Sequence, residues 1–440
     1  MQNKPIKVVG AGLAGCEAAW QIAKFGIPVE LIDIKPHSFT PAHHSEDLAE
    51  LVCSNSLRAA GMHNAVGVLK EELRKMGSLI MEAADTYAVP AGGALAVDRM
   101  QFSRYITEKI KGNELITYVS KEVTEIPDDE YCIIASGPLT LDALAQDIRK
   151  KYGDNISFFD AAAPIVEFDS IDMNKAFFAS RYGKGSADYI NCPMNKEEYL
   201  AFRNELINAE CAELKGFENS KVFEGCMPIE VMASRGEDTM RYGPLKPVGL
   251  DNAQTGEKYY AVIQLRQDDS AGTLYNIVGF QTHLKFPEQK RVFSMIPGLE
   301  NAVFARYGVM HRNSFLNSPK LLNEFYEMRS RKGLYFAGQI TGVEGYLEST
   351  SSGFVAGINA ARSYLGLAPF DFTAQTAIGS LCHYVSNESI EDFQPMNVNF
   401  GLFSDINVKV RKRAEKRLEL AQRAVDYIDE IKDKIRGDIE

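Results

Sequence analysis

No apolar run in this 440-residue chain reaches the ~18 residues that a membrane-crossing helix requires, so no membrane partner is expected. Cys-x-x-Cys pairs are absent as well. The seven cysteines, at 16, 53, 132, 192, 211, 226 and 382, lie far apart. That scatter argues against a zinc site or a disulfide framework, so no metal is expected and any specialised cysteine acts as a thiol. Positive charge is not in excess: 48 Lys and Arg against 59 Asp and Glu give a formal net charge of −11, which favours small-molecule chemistry over nucleic-acid binding. Internal repeats, low-complexity segments and charged tails are also missing. With Ile6 already in a strand-like run there is no room for a secretory signal, and an intracellular, cytoplasmic protein is expected. Nothing implies an obligate protein partner. What remains is an ordinary globular composition, 45% hydrophobic and 24% charged, long enough for roughly two or three domains.

Two glycine-rich segments stand out. The first, Gly10-Ala11-Gly12-Leu13-Ala14-Gly15, follows the apolar Ile6-Lys-Val8-Val9 and opens a helical stretch over 14–25 that Gly26 closes. This strand-turn-helix context lets backbone N–H groups meet a pyrophosphate at a helix N-terminus. A second apolar run over 29–34 carries Asp33, near the ~20-residue offset expected of a carboxylate that accepts from ribose hydroxyls. The second segment, Gly333-Leu-Tyr-Phe-Ala-Gly338-Gln339-Ile-Thr-Gly342, precedes a helix over 353–364 in which Gly353, Ala356, Gly357, Ala360 and Ala361 form a close-packing face. The N-terminus of that helix suits a flavin's partial negative charge, and ordinary helix packing explains the same residues. The two segments together point to one long dinucleotide, with FAD the best fit.

The fold expectation is therefore α/β. Residues 1–140 read as the first part of a Rossmann-like FAD-binding domain, 141–304 as an α+β insertion and 305–440 as the second part with a C-terminal helix. The insertion includes a helical pattern over 196–214 and strands over 259–265 and 275–280. The C-terminal helix, over 408–429, begins with Lys409, Arg411, Lys412, Arg413, Lys416 and Arg417, interleaved with Glu415 and Glu419. A solvated face with i,i+4 ion pairs accounts for this cluster, and RNA contact by Lys409, Arg411 and Arg413 is the alternative.

Further segments carry a family resemblance. Pro41-Ala-His-His44, Glu50-Leu-Val-Cys-Ser-Asn-Ser-Leu-Arg58, Asn64-Ala-Val-Gly67, Val89-Pro-Ala-Gly-Gly-Ala-Leu-Ala-Val-Asp98, Gly308-Val-Met-His-Arg-Asn313 and Gly342-Val-Glu-Gly-Tyr-Leu-Glu-Ser349, with the first glycine segment, closely resemble the folate- and FAD-dependent tRNA uracil-5-methyltransferases. The likeness runs from residue 8 to about 403. That family is similar to the larger GidA family of wobble-uridine modifiers, and the Cys-Ser-Asn-Ser run points to the methyltransferase branch. Departures are small: Asp33 where the family often has Glu, Lys35 where it often has Arg, and Ser404-Asp405 where prolines often follow.

The resemblance implies a glutathione-reductase-like FAD domain and methylation of C5 of a uridine, foremost the T-loop uridine of tRNA. The carbon comes from 5,10-methylenetetrahydrofolate and the electrons from NAD(P)H. C5 of uracil is a weak nucleophile, so a thiolate must first add to C6, and a base must later remove the C5 proton. Cys226 matches the family's insertion-domain cysteine, and its neighbours Gly225 and Pro228 suggest an exposed turn, which makes it the expected C6 nucleophile. Cys53 is the companion thiol, as base or adduct partner. Ser54-Asn55-Ser56 after it are N-cap residue types, so a helix N-terminus there is expected to favour its thiolate. Free cysteine is otherwise a small buried hydrophobe, and that reading is kept for Cys16, Cys132 and Cys192. By the resemblance His311 and Arg312 contact the folate. Tyr346 either covers the flavin edge or packs in the core. Arg99 is assigned from charge alone to the folate tail or an RNA phosphate. A ribosomal-RNA or wobble uridine is an alternative target. An NAD(P)H-flavin oxidoreductase acting on a small substrate, or an RNA-binding protein with structural flavin, is an alternative class. An S-adenosylmethionine enzyme has no need of the second glycine segment.

Overall fold

Short apolar runs closed by turns build a five-stranded parallel sheet, ordered Leu334–Phe336, Cys132–Ile134, Ile6–Val9, Val29–Asp33, Ile116–Ser120. The computed structural model describes residues 4–40, 42–153, 156–157, 160–183, 186–212, 227–251, 256, 258–268, 272–311, 315–391, 393–406 and 413–435. Every residue of Cys132–Ile134 and Leu334–Phe336 is buried, so both faces of the sheet are covered. From Ile6–Val9 the chain steps outward to Val29–Asp33 and Ile116–Ser120, then crosses back to the other side of the first strand. That reversal creates a switch point between Ile6–Val9 and Cys132–Ile134, and a crevice at their carboxyl ends.

The helix expected over 14–25 spans Leu13–Ala23, and Gly26 follows at φ 73°. It packs along the longer helix Tyr346–Tyr364, which starts well before the expected residue 353 because Gly345, at φ 117°, turns the chain and leaves Tyr346 as the first helical residue. Small residues set the crossing distance. A Cβ on Gly353 would lie 2.1 Å from the carbonyl oxygen of Ala14, and one on Gly357 would lie 2.7 Å from that of Ala18.

A second core lies on a six-stranded antiparallel sheet, ordered Phe177–Ala179, Tyr189–Met194, Ala261–Gln267, Leu274–Ile277, Ile165–Glu167, Phe304–Arg306. Ile190, Cys192, Ile263 and Leu265 meet Tyr199, Phe202, Phe280 and Phe293 there. Asn195 and Glu198 form a reciprocal capping box that starts the helix Lys196–Asn208. This helix ends short of residue 214 because Ala209 is extended and Cys211 bridges to Leu284. Two ribbons, Asp160–Ala162 with Val309–His311 and Ile156–Ser157 with Phe315–Leu316, lead the chain back to the parallel sheet.

The C-terminal helix Arg413–Ile431 buries Leu420, Ala421, Ala424 and Ile428 in the first core, and Lys75 pairs with its Asp429 at 2.8 Å. Two of its cations face the preceding turn: Lys416 meets Asp405 at 2.5 Å, and Arg423 donates to the carbonyls of Ser404 and Asp405 at 2.8 and 3.0 Å.

Candidate active site

A cleft open to solvent lies at the carboxyl ends of the parallel strands. Three strand-following loops border it, over 9–14, 32–35 and 135–141, together with Gly338, Gln339, Tyr346 and Ser349. Gly10 sits at φ 102°, and a Cβ there would fall 2.4 Å from the carbonyl oxygen of Ala135, so only glycine lets these two strand ends approach. No side chain caps the N-terminus of Leu13–Ala23 at Gly12. Its first-turn N–H groups remain to meet an anion. Asp33 spans the loops: one carboxylate oxygen accepts from Ala11 N–H at 2.7 Å and the other from Lys35 N–H at 3.1 Å. Each oxygen keeps a lone pair for a hydroxyl donor. On the far wall Gly338, at φ 84°, donates to Ser352 Oγ at 2.6 Å and lies against Ala14.

Of the expected cofactor residues, Gly10, Ala11, Gly12, Leu13, Ala14, Asp33, Gly338, Gln339 and Tyr346 border this cleft. Gly15 and Gly353 do not. A Cβ on Gly15 would lie 1.7 Å from the Gly10 carbonyl oxygen, and Gly353 abuts Ala14, so both allow backbone to pack on backbone behind the cleft.

Cys53, half-buried, adjoins the cleft through Tyr346. The phenol oxygen of Tyr346 accepts from Cys53 N–H at 2.8 Å and Ser54 N–H at 3.1 Å. Burial first, then Cys53, pushes this phenol above its ordinary pKa, so it stays neutral. The helix expected after Cys53 does not form, because Ser56–Ala59 is a strand. The polar side chains meant to cap it are used elsewhere: Arg266 donates to Ser54 Oγ and to Asn55 Oδ1, while Asn55 Nδ2 donates to the Gln267 carbonyl at 2.8 Å. Arg99 donates to the Leu51 carbonyl and to Asp268, the latter at 2.8 Å. Cys16, Cys132 and Cys192 are buried, and desolvation raises each thiol, that of Cys132 to about 12.

The remaining expected residues are placed only in part. Cys226, Arg312, Lys409 and Arg411 lie outside the described residues. His311 ends the strand Val309–His311, paired with Asp160, and Arg413 begins the C-terminal helix. The described residues on either side of Cys226 attach to one edge: Ala212 N–H donates to the His283 carbonyl and Ile229 N–H to that of Gln281, both at 2.8 Å. Among the described residues no His, Cys, Asp and Glu side chains group as a metal site, and no helix is long and apolar enough to cross a membrane.

The sequence profile of the family described as Glucose inhibited division protein A matches residues 5–368. A protein of Acetivibrio thermocellus is 61% identical over 426 residues, covering 97% of this chain and 98% of the relative. Proteins of Listeria welshimeri, 58% identical over 98% of this chain and 100% of theirs, and Desulfitobacterium hafniense, 56% over 97% and 98%, follow. Each is named methylenetetrahydrofolate–tRNA-(uracil-5-)-methyltransferase TrmFO. This chain belongs to the TrmFO family. The solved structure of Aquifex aeolicus GidA matches at a TM-score of 0.73 with 16% identity, covering 98% of this chain and 73% of that one, and it supports the shared α/β fold.

For this TrmFO-family chain, sequence reasoning missed the cleft's third wall. Residues 135–141, with Ser136 Oγ and Thr140 Oγ1 at 2.7 Å, close the side opposite Asp33. The signal was the apolar run Tyr131-Cys-Ile-Ile-Ala135 ending in a Ser-Gly-Pro turn, since ligands bind where strands end at a switch point. His43 and Glu50 also border the cleft from segments noted only for their family likeness. Burial, and next Lys35, lowers the His43 pKa, which favours neutral imidazole at the rim.

Proposed function

We propose that this chain methylates C5 of a uridine in tRNA with carbon from 5,10-methylenetetrahydrofolate, using FAD reduced by NAD(P)H. The observation that carries this reading is the contact of Tyr346 with the Cys53 backbone at the rim of a cleft suited to a dinucleotide, in a chain 61% identical to a TrmFO protein across 97% of its length.

The residues present fit FAD. Gly10 keeps the strand ends close, the uncapped turn at Gly12 offers N–H groups to a pyrophosphate, Asp33 offers carboxylate oxygens to a ribose, and Gly338, Gln339 and Tyr346 line the wall towards Cys53. When bound, the flavin supplies one-carbon transfer and hydride donation. The chain supplies the rest. Cys226 adds to C6 of the uracil and makes C5 nucleophilic. Cys53 takes up the C5 proton or serves as the adduct partner. Tyr346 holds the Cys53 peptide and helps to exclude water. His311 and Arg312 contact the folate, and Lys409, Arg411 and Arg413 contact RNA. In this reading residues 1–140 and 305–440 hold the cofactor, 141–304 brings the nucleophile, and the enzyme works in the cytoplasm, where tRNA is.

Mapping 5-methyluridine in RNA from a strain lacking the gene tests the reading. Loss from the tRNA T-loop supports it, loss from ribosomal RNA redirects it to that substrate, and no loss from either rejects it.

A further inference from the structure

The Cys53 peptide is gripped from both sheets. Tyr346 accepts its N–H at 2.8 Å, and Arg306, at the end of the edge strand Phe304–Arg306, donates to its carbonyl at 3.1 Å and to that of Ala163 at 3.4 Å. Two more guanidiniums close around it. Arg99 holds the Leu51 carbonyl and Asp268, and Arg266 holds Ser54 and Asn55. Besides Cys53, the ionisable groups facing these arginines among the described residues include Asp268 and the phenols of Tyr346 and Tyr189. Among the described residues, three cations stand against one carboxylate around the Cys53 peptide. Two guanidinium Nε atoms, of Arg99 and Arg306, are buried with no hydrogen-bond partner. Burial lowers the pKa of Arg266 and Arg306, so the cluster carries a desolvation cost that a nearby anion offsets.

We propose that Arg306 is a positioning residue that, together with Arg99 and Arg266, holds Cys53 as a thiolate at neutral pH and fixes it at the seam between the two sheets. A thiol beside arginines loses its proton to water more readily. Because Arg306 belongs to the antiparallel sheet and Tyr346 to the parallel-sheet side, the grip also couples the thiol to the seating of one body on the other. The chemical use of the thiolate rests on the function proposed above; its ionisation does not.

The test is the pH dependence of iodoacetamide alkylation in the flavin-bound protein, read on the Cys53 peptide by mass spectrometry so that Cys211 and Cys226 do not interfere. The expected midpoint lies below the ordinary ~8.5 of a free thiol. Arg306→Gln is expected to raise it by about one unit, roughly a tenfold slower reaction at neutral pH, with partial recovery in Arg306→Lys. A midpoint at or above the ordinary value in the natural protein overturns the proposal, as does an unchanged midpoint in a flavin-bound Arg306→Gln protein. If Arg306→Gln does not fold, the natural midpoint and Arg99→Gln decide. The expected shift together with full methylation by Cys53→Ser would sustain the thiolate and remove Cys53 from the reaction.

Discussion

The phenol oxygen of Tyr346, the first residue of its helix, accepts the backbone N–H groups of Cys53 and Ser54. One side chain thus links the second glycine segment to the Cys-Ser-Asn-Ser run, far apart in sequence. Tyr346→Phe keeps the ring and removes the acceptor of both bonds, at a local cost on the order of 1–3 kcal/mol. Amide exchange at Cys53 and Ser54 is expected to accelerate while FAD stays bound. Unchanged exchange would mean that the phenol does not hold this peptide.

Glycines of the two glycine-rich regions divide into two kinds, one bordering the cleft and one packed behind it. A Cβ on Gly12 meets nothing within 4 Å, whereas one on Gly353 strikes the Ala14 backbone. Gly353→Ala is expected to destabilise the FAD-free protein by about 1–3 kcal/mol through forced separation of two helices. Gly12→Ala should leave FAD-free melting nearly unchanged and weaken FAD binding. Equal losses of FAD-free stability would contradict the division.

Glu72 is buried and accepts from Ala377 and Ile378 N–H at 2.7 and 2.8 Å. Burial raises its pKa from 4.5 to about 8 against the pull of those two donors. The folded state therefore holds a proton that the unfolded state releases between these values, and the Glu72 contribution to stability falls as pH rises from about 4.5 to 8. The stability of the natural protein minus that of Glu72→Gln, from urea unfolding across this range, should decrease with rising pH. A constant or increasing difference would show that the backbone donors prevail over desolvation.

Cys226→Ala should abolish methyl transfer and leave the flavin spectrum intact, because the glycine loops that border the cleft are elsewhere in the chain. Retained turnover would remove Cys226 from the chemistry.

The cleft's first two loops were legible because Gly10, Gly12 and Asp33 act through local strand-turn-helix geometry that spacing encodes. The partners of Ser54 and Asn55 were not. Their residue types suit a helix cap equally well, and only the docking of Arg266 from a distant strand directs them elsewhere. The same holds for the edge pairing of Ile165–Glu167 with Phe304–Arg306, which depends on long-range closure and brings Arg306 to Cys53. The start of the long helix at Tyr346 was missed because small and polar residues between 346 and 353 blur the apolar period, although Gly345 marks the turn.

The most direct measurement supplies 5,10-methylenetetrahydrofolate labelled in its one-carbon unit, NADPH and undermodified tRNA to the flavin-bound protein. Label recovered in 5-methyluridine of the tRNA is the predicted result. Continued NADPH oxidation with no label in the RNA would contradict it and mark the chain as a flavin oxidoreductase of another kind.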